Sequence, residues 1–133
     1  MNRVKAAHRQ PVVSTEITLL CTPAAVPAVR RFVREALPAG SRADDLVLAV
    51  DELASNSVTH SSSGRGGEFT VTVRTAAGSA RVEVTDDGPA SGPPALSNGW
   101  GLEIVRAVTD RAGTTVGLDG RRTAWAEVTW PAL

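Results

Sequence analysis

Three polar side chains recur every four residues in the middle of the chain: Glu52, Asn56 and His60. Residues four apart share one face of an α-helix, so the three form a polar stripe. A carboxylate can act as a general base, and an amide oxygen can bind Mg²⁺, which takes oxygen ligands and bridges phosphates. Taken alone, the stripe favours an ordinary amphipathic helix, because polar residues four apart are common on helices, so a functional meaning depends on the rest of the chain.

The stretch Ser41–Ser62 contains the helix that must position these side chains. The Ser41 hydroxyl can cap the helix start, and the Asp44 carboxylate favours the positive end of the helix dipole. An apolar stripe at helical spacing lies beside the polar one and predicts the buried face. It comprises Leu46, Val50, Leu53, Ala54, Ser57 and Val58.

Two further motifs follow the predicted helix. Asp86-Asp87-Gly88 occurs where a strand breaks into a Gly/Pro-rich loop. A carboxylate there can accept a hydrogen bond from an exocyclic amine, and the glycine lets the backbone approach a flat ring. Gly99-Trp100-Gly101 opens a helix, where exposed N–H groups and the helix dipole favour a phosphate. The three motifs in this order indicate a nucleotide site more strongly than any one alone.

Strands and helices alternate irregularly along the chain, which predicts an α+β fold. This would be a two-layer α/β sandwich in which helices cover one face of a mixed, mostly antiparallel sheet. The predicted elements are a strand over Ser14–Cys21, a helix capped by Thr22, a hairpin of Glu68–Ala76 and Ala80–Asp86, a helix from Leu102 closed by Gly113, and a final hairpin of Thr114–Leu118 and Arg122–Trp130.

Composition limits the classes of function. The 133 residues predict a polar, flexible tail over residues 1–13 and one domain over residues 14–133. Lys+Arg and Asp+Glu number 14 each, so no net charge attracts nucleic acid or a membrane surface. Cys21 is the one cysteine and reads as a small buried thiol. With no apolar run of membrane-spanning length and no signal-peptide pattern, a cytoplasmic location is expected.

Together the motifs resemble the GHKL, or histidine kinase-like, ATPase fold, and within it the free-standing bacterial anti-sigma factor serine/threonine kinases. The resemblance covers roughly Ile17 to Trp130. The run Asp51–His60 is similar to the N box of that family, Val82–Gly88 to its G1 box, and Gly99–Leu102 to its G2 box.

The resemblance implies ATP and Mg²⁺ as cofactors and assigns a role to each matching residue. Glu52 would be the general base and Asn56 the magnesium ligand, with His60 lining the site. Asp86 would bind adenine with Gly88 packed beside it, and Thr123 would lie near the adenine. In the G2 box, Gly99, Trp100, Gly101 and Leu102 would cradle the phosphates and hinge the lid.

Three departures from the family pattern stand out. Ala90 replaces the usual second glycine of the G1 box, and Ser57 stands where alanine is usual. The lid between the G1 and G2 boxes is short and rich in proline. These changes bear on lid closure and turnover more than on ATP binding.

The function implied by the resemblance is transfer of the ATP γ-phosphate to a serine or threonine of a STAS-type anti-sigma factor antagonist. The same kinase would alternatively hold a sigma factor inactive, so that transcription is regulated by partner switching. The family also tends to form homodimers through its first strand and helix, which makes a second copy of the chain a further expected partner.

A second function, from a different class, stays open. The domain could use ATP or ADP only to set its conformation and sequester a protein partner without phosphorylating it. The catalytic half of a two-component histidine kinase fits less well, because no helix pair with a phospho-acceptor histidine precedes the domain. A gyrase-type ATPase would need a transducer domain, for which the chain is too short.

Overall fold

Five strands and three helices make up the part of the chain that the computed structural model describes, residues 12–61, 65–88 and 102–131. In chain order they are β1 (Val13–Leu20), α1 (Ala25–Ala36), α2 (Ala43–His60), β2 (Glu68–Ala76), β3 (Ser79–Asp86), α3 (Leu102–Val108), β4 (Arg111–Val116) and β5 (Arg122–Thr129). These strands form one sheet in the order β1-β2-β3-β5-β4, and all of their pairings are antiparallel. The predicted α+β class is confirmed.

One face of the sheet is apolar and packs against the helices. Every second residue of β3 is buried, which is the pattern of a strand with one face in the core. Its inward side chains are Ala80, Val82, Val84 and, at the end of the strand, Asp86. A carboxylate therefore closes a row of apolar side chains and lies on the same face as the helices.

The helix α2 is the centre of the helical layer. It lies between α1 and α3 and packs on β3 and β5. Its buried residues are Leu46, Val47, Ala49, Val50, Leu53, Ala54 and Ser57. Complete burial of a leucine such as Leu53 stabilises the fold by about 2 kcal/mol. Because its position on the sheet is held by this many core contacts, α2 is a rigid support for polar side chains at its margin.

The predicted side-chain caps at the two helix starts are wrong. The residue before α1 is Ala24 and the residue before α2 is Arg42, and neither side chain caps the helix. The hydroxyl of Ser41 is instead buried without a hydrogen-bond partner among the described residues. The start of α2 is held in another way: the Arg42 guanidinium donates to the Asp45 carboxylate of the first turn at 3.0 Å and to the carbonyl of Val108 at 3.0 Å, and the second bond anchors the start of α2 to the end of α3.

The helix α3 ends at Val108, earlier than the predicted end at Gly113. The hydroxyl of Thr109 donates to the carbonyl of Val105 at 2.6 Å, and the amide of Asp110 then donates to the carbonyl of Glu127 at 2.9 Å. The chain thus passes directly from the helix into edge strand β4. Pairing with β5 outweighs the helical periodicity of the segment, since intrinsic propensity is weaker than tertiary contact.

None of the helices in the described residues is long and apolar enough to cross a membrane.

Candidate functional site

The carboxylate of Asp86 lies at the end of β3 and is 1% exposed. Its Oδ1 accepts a hydrogen bond from the amide of Gly88 at 2.8 Å. Its Oδ2 accepts one from the hydroxyl of Ser57 at 2.5 Å and another from Nη2 of Arg122 at 2.9 Å. The Asp86 cluster, as the name is used below, comprises Asp86, Gly88, Ser57 and Arg122. A buried carboxylate is tolerated only when it is paired and hydrogen-bonded, and each of these contacts meets part of that requirement.

The bond from Ser57 joins two of the sequence motifs. Ser57 is buried on the inner face of α2, one residue after Asn56, while Asp86 ends β3. The motif on the central helix and the motif at the strand end are therefore in direct contact, although 29 positions separate the two residues in the sequence. This contact joins the helix that carries the polar stripe to the Asp86 carboxylate.

Gly88 is required by its backbone conformation and by its neighbours. Its φ is +90°, which an L side chain rarely adopts. A Cβ at this position would also overlap the carbonyl oxygen of Gly120, which lies in the turn between β4 and β5. The strand end therefore packs tightly against that turn, as expected where only a glycine fits.

Two arginines of the same region face the two carboxylates of the Asp-Asp-Gly motif. In the pairing of β3 with β5, Asp86 lies opposite Arg122, and their side chains form an ion pair at 2.9 Å. Arg121 comes one residue earlier and approaches Asp87 at 3.7 Å. The first pair is nearly enclosed, whereas the second is about half exposed on each side. Only the Arg122 pair belongs to the buried cluster.

Thr123 lies on the other face of the sheet from Asp86. Its hydroxyl is 2.9 Å from that of Thr85, its partner across the strand pair. Directly opposite residues share a face and successive residues alternate, so Thr85 and Thr123 point away from the helices. The structure brings Ser57 and Arg122 to Asp86, and it does not bring Thr123 there.

The predicted catalytic stripe lies on α2 as expected. Glu52, Asn56 and His60 are all within the helix, and each is partly buried. Among the described residues no three His, Cys, Asp or Glu side chains gather closely enough to hold a metal ion by themselves. One amide oxygen from Asn56 nevertheless fits a Mg²⁺ that takes most of its ligands from phosphates and waters, which is the usual donor set beside a nucleotide.

The remaining predicted residues of the G2 motif are Gly99, Trp100 and Gly101, and they lie outside the described residues together with Ala90 and the proline-rich lid. Leu102 is the first residue of α3, where it is partly buried and packs against the core. The phosphate-binding role of this motif remains a prediction.

Cys21 is buried next to the site, as the sequence predicts. Burial raises the pKa of its thiol, and the negative charge of Asp86 raises the pKa further. Its amide donates to the carbonyl of Gly67 at 2.9 Å, so the segment after β1 is held against the residue that precedes β2. The thiol is thus kept neutral, and its role is to pack in the core.

The sequence reasoning missed the contributions of Ser57 and Arg122. Ser57 was recognisable as the polar member of an otherwise apolar helix face, but its partner could not be named without the strand register. Nothing in the sequence around Arg122 indicated a role in the site, because an arginine beside a turn is ordinarily solvated.

Known proteins with a similar sequence and fold identify the family of this chain. A family model described as the histidine kinase-like ATPase domain matches residues 19–123. Among solved structures, the crystal structure of the RsbU and RsbW domains of Rv1364c from Mycobacterium tuberculosis is similar, with 28% sequence identity and a TM-score of 0.71. That similarity covers 92% of this chain and 34% of the other, so this chain spans about a third of its length. No curated protein matches. The family match covers most of the 133 residues and includes the whole Asp86 cluster, and the chain therefore belongs to the histidine kinase-like ATPase family.

Proposed function

We propose that this domain binds Mg·ATP between α2 and the sheet and is a protein serine/threonine kinase of the anti-sigma factor type. It transfers the γ-phosphate to a serine or threonine of a STAS-type antagonist and alternatively binds a sigma factor. Membership of the ATPase family supports nucleotide binding. The resemblance of the motifs to anti-sigma factor kinases, and the similarity to a structure that includes an RsbW domain, support the choice of partner.

The contact between Ser57 and Asp86 carries the proposal. It brings the motif proposed for phosphate chemistry against the motif proposed for base recognition. Neither an ordinary amphipathic helix nor a plain Asp-Gly turn requires such a contact. A nucleotide whose base reaches Asp86 would extend its phosphates along α2 toward Asn56 and Glu52.

Base recognition in this proposal depends on the Asp86 carboxylate. An ionised carboxylate only accepts hydrogen bonds, so it favours a base that presents an amine, as adenine does. The absence of a side chain at Gly88 leaves the backbone free to lie close to a flat ring.

Phosphate transfer in this proposal depends on Asn56 and Glu52, which are one helical turn apart. The amide oxygen of Asn56 would hold Mg²⁺, which would supply positive charge to stabilise the transferred phosphate. Glu52 accepts the proton of the substrate hydroxyl as its oxygen bonds to the γ-phosphorus, and the bond from that phosphorus to the bridging oxygen breaks to release ADP. His60 lies one turn further along and lines the same side of the helix.

Phosphotransfer from labelled Mg·ATP to a panel of purified STAS-domain proteins tests this function. The wild-type chain should label a serine or threonine of at least one of them. Glu52→Gln should slow transfer by roughly 100-fold or more, since it removes a general base, and should leave nucleotide affinity nearly unchanged. The matched control is Asp44→Asn, which changes an exposed carboxylate of the same helix and should transfer normally.

Two results would contradict the kinase proposal. Equal transfer rates for Glu52→Gln and the wild type would remove Glu52 as the base. Tight binding of Mg·ATP and of a STAS-domain protein, with no label transferred by the wild type, would identify the domain as a sequestering module that uses nucleotide only to set its conformation.

A further inference from the structure

The acceptor capacity of the Asp86 carboxylate is distributed unevenly between its two oxygens. Oδ2 accepts from Ser57 and from Arg122, which accounts for the two lone-pair directions of that oxygen. Among the described contacts, Oδ1 accepts a hydrogen bond only from the amide of Gly88, so one lone-pair direction of Oδ1 can still accept a hydrogen bond. A base that donates an amine can bond to Oδ1 without displacing Arg122.

The orientation of the Asp86 carboxylate depends mainly on Arg122. A carboxylate that is 1% exposed needs a positive charge or several donors to compensate for its lost hydration, and those donors fix the direction in which it points. Arg122 supplies the positive charge and Ser57 a further donor. The other titratable neighbours do not help: the thiol of Cys21 is neutral, and Asp87 is itself an acid, which Arg121 approaches at 3.7 Å.

We propose that Arg122 and Ser57 are positioning residues that engage Oδ2 of Asp86, hold the carboxylate in one orientation with Oδ1 as the remaining acceptor, and thereby set the preference of the site for a purine with an exocyclic amine. This inference rests on the proposed nucleotide site. An oxo group facing an ionised carboxylate brings two acceptors together, and it is rejected because neither can donate. Without Arg122 the carboxylate is no longer held in that orientation, so the preference falls when the ion pair is removed.

Base preference separates this role from mere structural support. The ratio of the dissociation constants of inosine diphosphate and adenosine diphosphate compares an oxo group with an amine on otherwise closely related ligands. Loss of folded protein weakens both apparent affinities by the same factor, so the ratio is unaffected by a destabilised variant. The ratio therefore reports on how the site recognises the N1 and 6-position edge of the base, and not on the amount of folded protein.

The variants are Arg122→Met, Ser57→Ala and the matched control Arg121→Met. Methionine keeps the length of the side chain and removes its charge and donors. Arg121 is the adjacent arginine of the same turn and is about half exposed, with its nearest carboxylate at 3.7 Å, so its replacement controls for the loss of one positive charge near the site. Titration calorimetry with each diphosphate in the presence of Mg²⁺ gives the two dissociation constants.

The expected result is that the wild type prefers adenosine diphosphate, and that Arg122→Met lowers the preference by roughly tenfold or more, since a charged hydrogen-bond network is lost. Ser57→Ala should lower it by a smaller factor, and Arg121→Met should leave it unchanged. The decrease should come from weaker binding of adenosine diphosphate, with the binding of inosine diphosphate much less affected.

Three results would overturn the inference. An unchanged ratio in Arg122→Met would show that the arginine only supports the fold. Tighter binding of adenosine diphosphate by Arg122→Met would show that Arg122 competes with the base for the carboxylate. An equal loss of preference in Arg121→Met would show a general charge effect. Failure of the proposed function looks different, because the wild type itself would then bind neither diphosphate.

Discussion

Two clusters of arginine and carboxylate side chains lie on opposite faces of the same sheet. In the Asp86 cluster, on the helical side, the carboxylate is 1% exposed and the arginine side chain 20%. The second, called the Arg81 cluster, comprises Arg81, Glu83, Glu127 and Trp125 on the open face. Arg81 bonds each glutamate at 2.7 Å and lies 4.2 Å from the centre of the Trp125 ring.

The comparison shows that burial, more than residue type, distinguishes a candidate site from a stabilising surface network. Both clusters contain good ion pairs. The ion pairs of the Arg81 cluster are accessible to water, so each pair contributes only modestly to the stability of the fold. No charge in that cluster depends on a single partner. Asp86 depends on Arg122 and Ser57 because water cannot replace them. A carboxylate so enclosed at a strand end is held in one orientation, as recognition of a base requires.

The largest expected difference between the clusters is in stability. Arg122→Met should lower the free energy of unfolding by about 3 kcal/mol, because it leaves a buried carboxylate without its ion-pair partner. Arg81→Met should cost about 1 kcal/mol, since its glutamates are partly hydrated. Urea unfolding of both variants measures the difference. Equal costs would mean that the burial of Asp86 has no energetic consequence.

A smaller effect is expected at Gly88. Gly88→Ala should destabilise the fold by about 2 kcal/mol, because it forces a side chain into a positive φ and against the carbonyl of Gly120. Gly40→Ala is the matched control: its φ is +82°, but nothing lies within 4 Å of the added Cβ. It should cost only about 1 kcal/mol, for backbone strain alone. Thermal unfolding at one protein concentration compares the two; a larger cost at Gly40 would argue against tight packing of the strand end on the turn.

The smallest expected effect is a pH dependence of the Arg81 cluster. Burial alone would raise the pKa of Glu83, but hydrogen bonds from Arg81 and Arg74 outweigh it and hold the pKa below its ordinary value of 4.5. A depressed folded-state pKa stabilises the fold above the unfolded-state pKa, and this contribution is lost as the pH falls through the folded-state value. The stability difference between wild type and Arg81→Met should therefore shrink as the pH is lowered from 6 into the acidic range below that value. A difference that stays constant would show that Glu83 is not ionically linked to Arg81.

The sequence predicted the fold and its family because those depend on patterns of many residues. Alternating valines predicted the β2–β3 hairpin, and the helical stripe that includes Leu46 and Leu53 predicted the core face of α2. The prediction failed where one tertiary contact outweighs a local preference. The periodicity that predicted a helix as far as Gly113 is overridden by pairing of β4 with β5.

The site was predicted in part, for a similar reason. Asp86 and Gly88 were identifiable because a strand, an acid and a glycine follow one another in the chain. Arg122 was not, because its role depends on a strand register that brings it opposite Asp86. The same register turns Thr123 to the other face, and a one-residue difference in register decides which of the two faces the helices.

Calorimetric titration of Mg·ATP and Mg·ADP into the wild type, Asp86→Asn and Asp87→Asn tests most directly whether the buried carboxylate is the base-recognition group. Micromolar binding by the wild type and by Asp87→Asn, weakened roughly 30-fold or more in Asp86→Asn, is the predicted result, because only Asp86 is the enclosed acceptor. Unchanged binding by Asp86→Asn, or no nucleotide binding by the wild type, would contradict it.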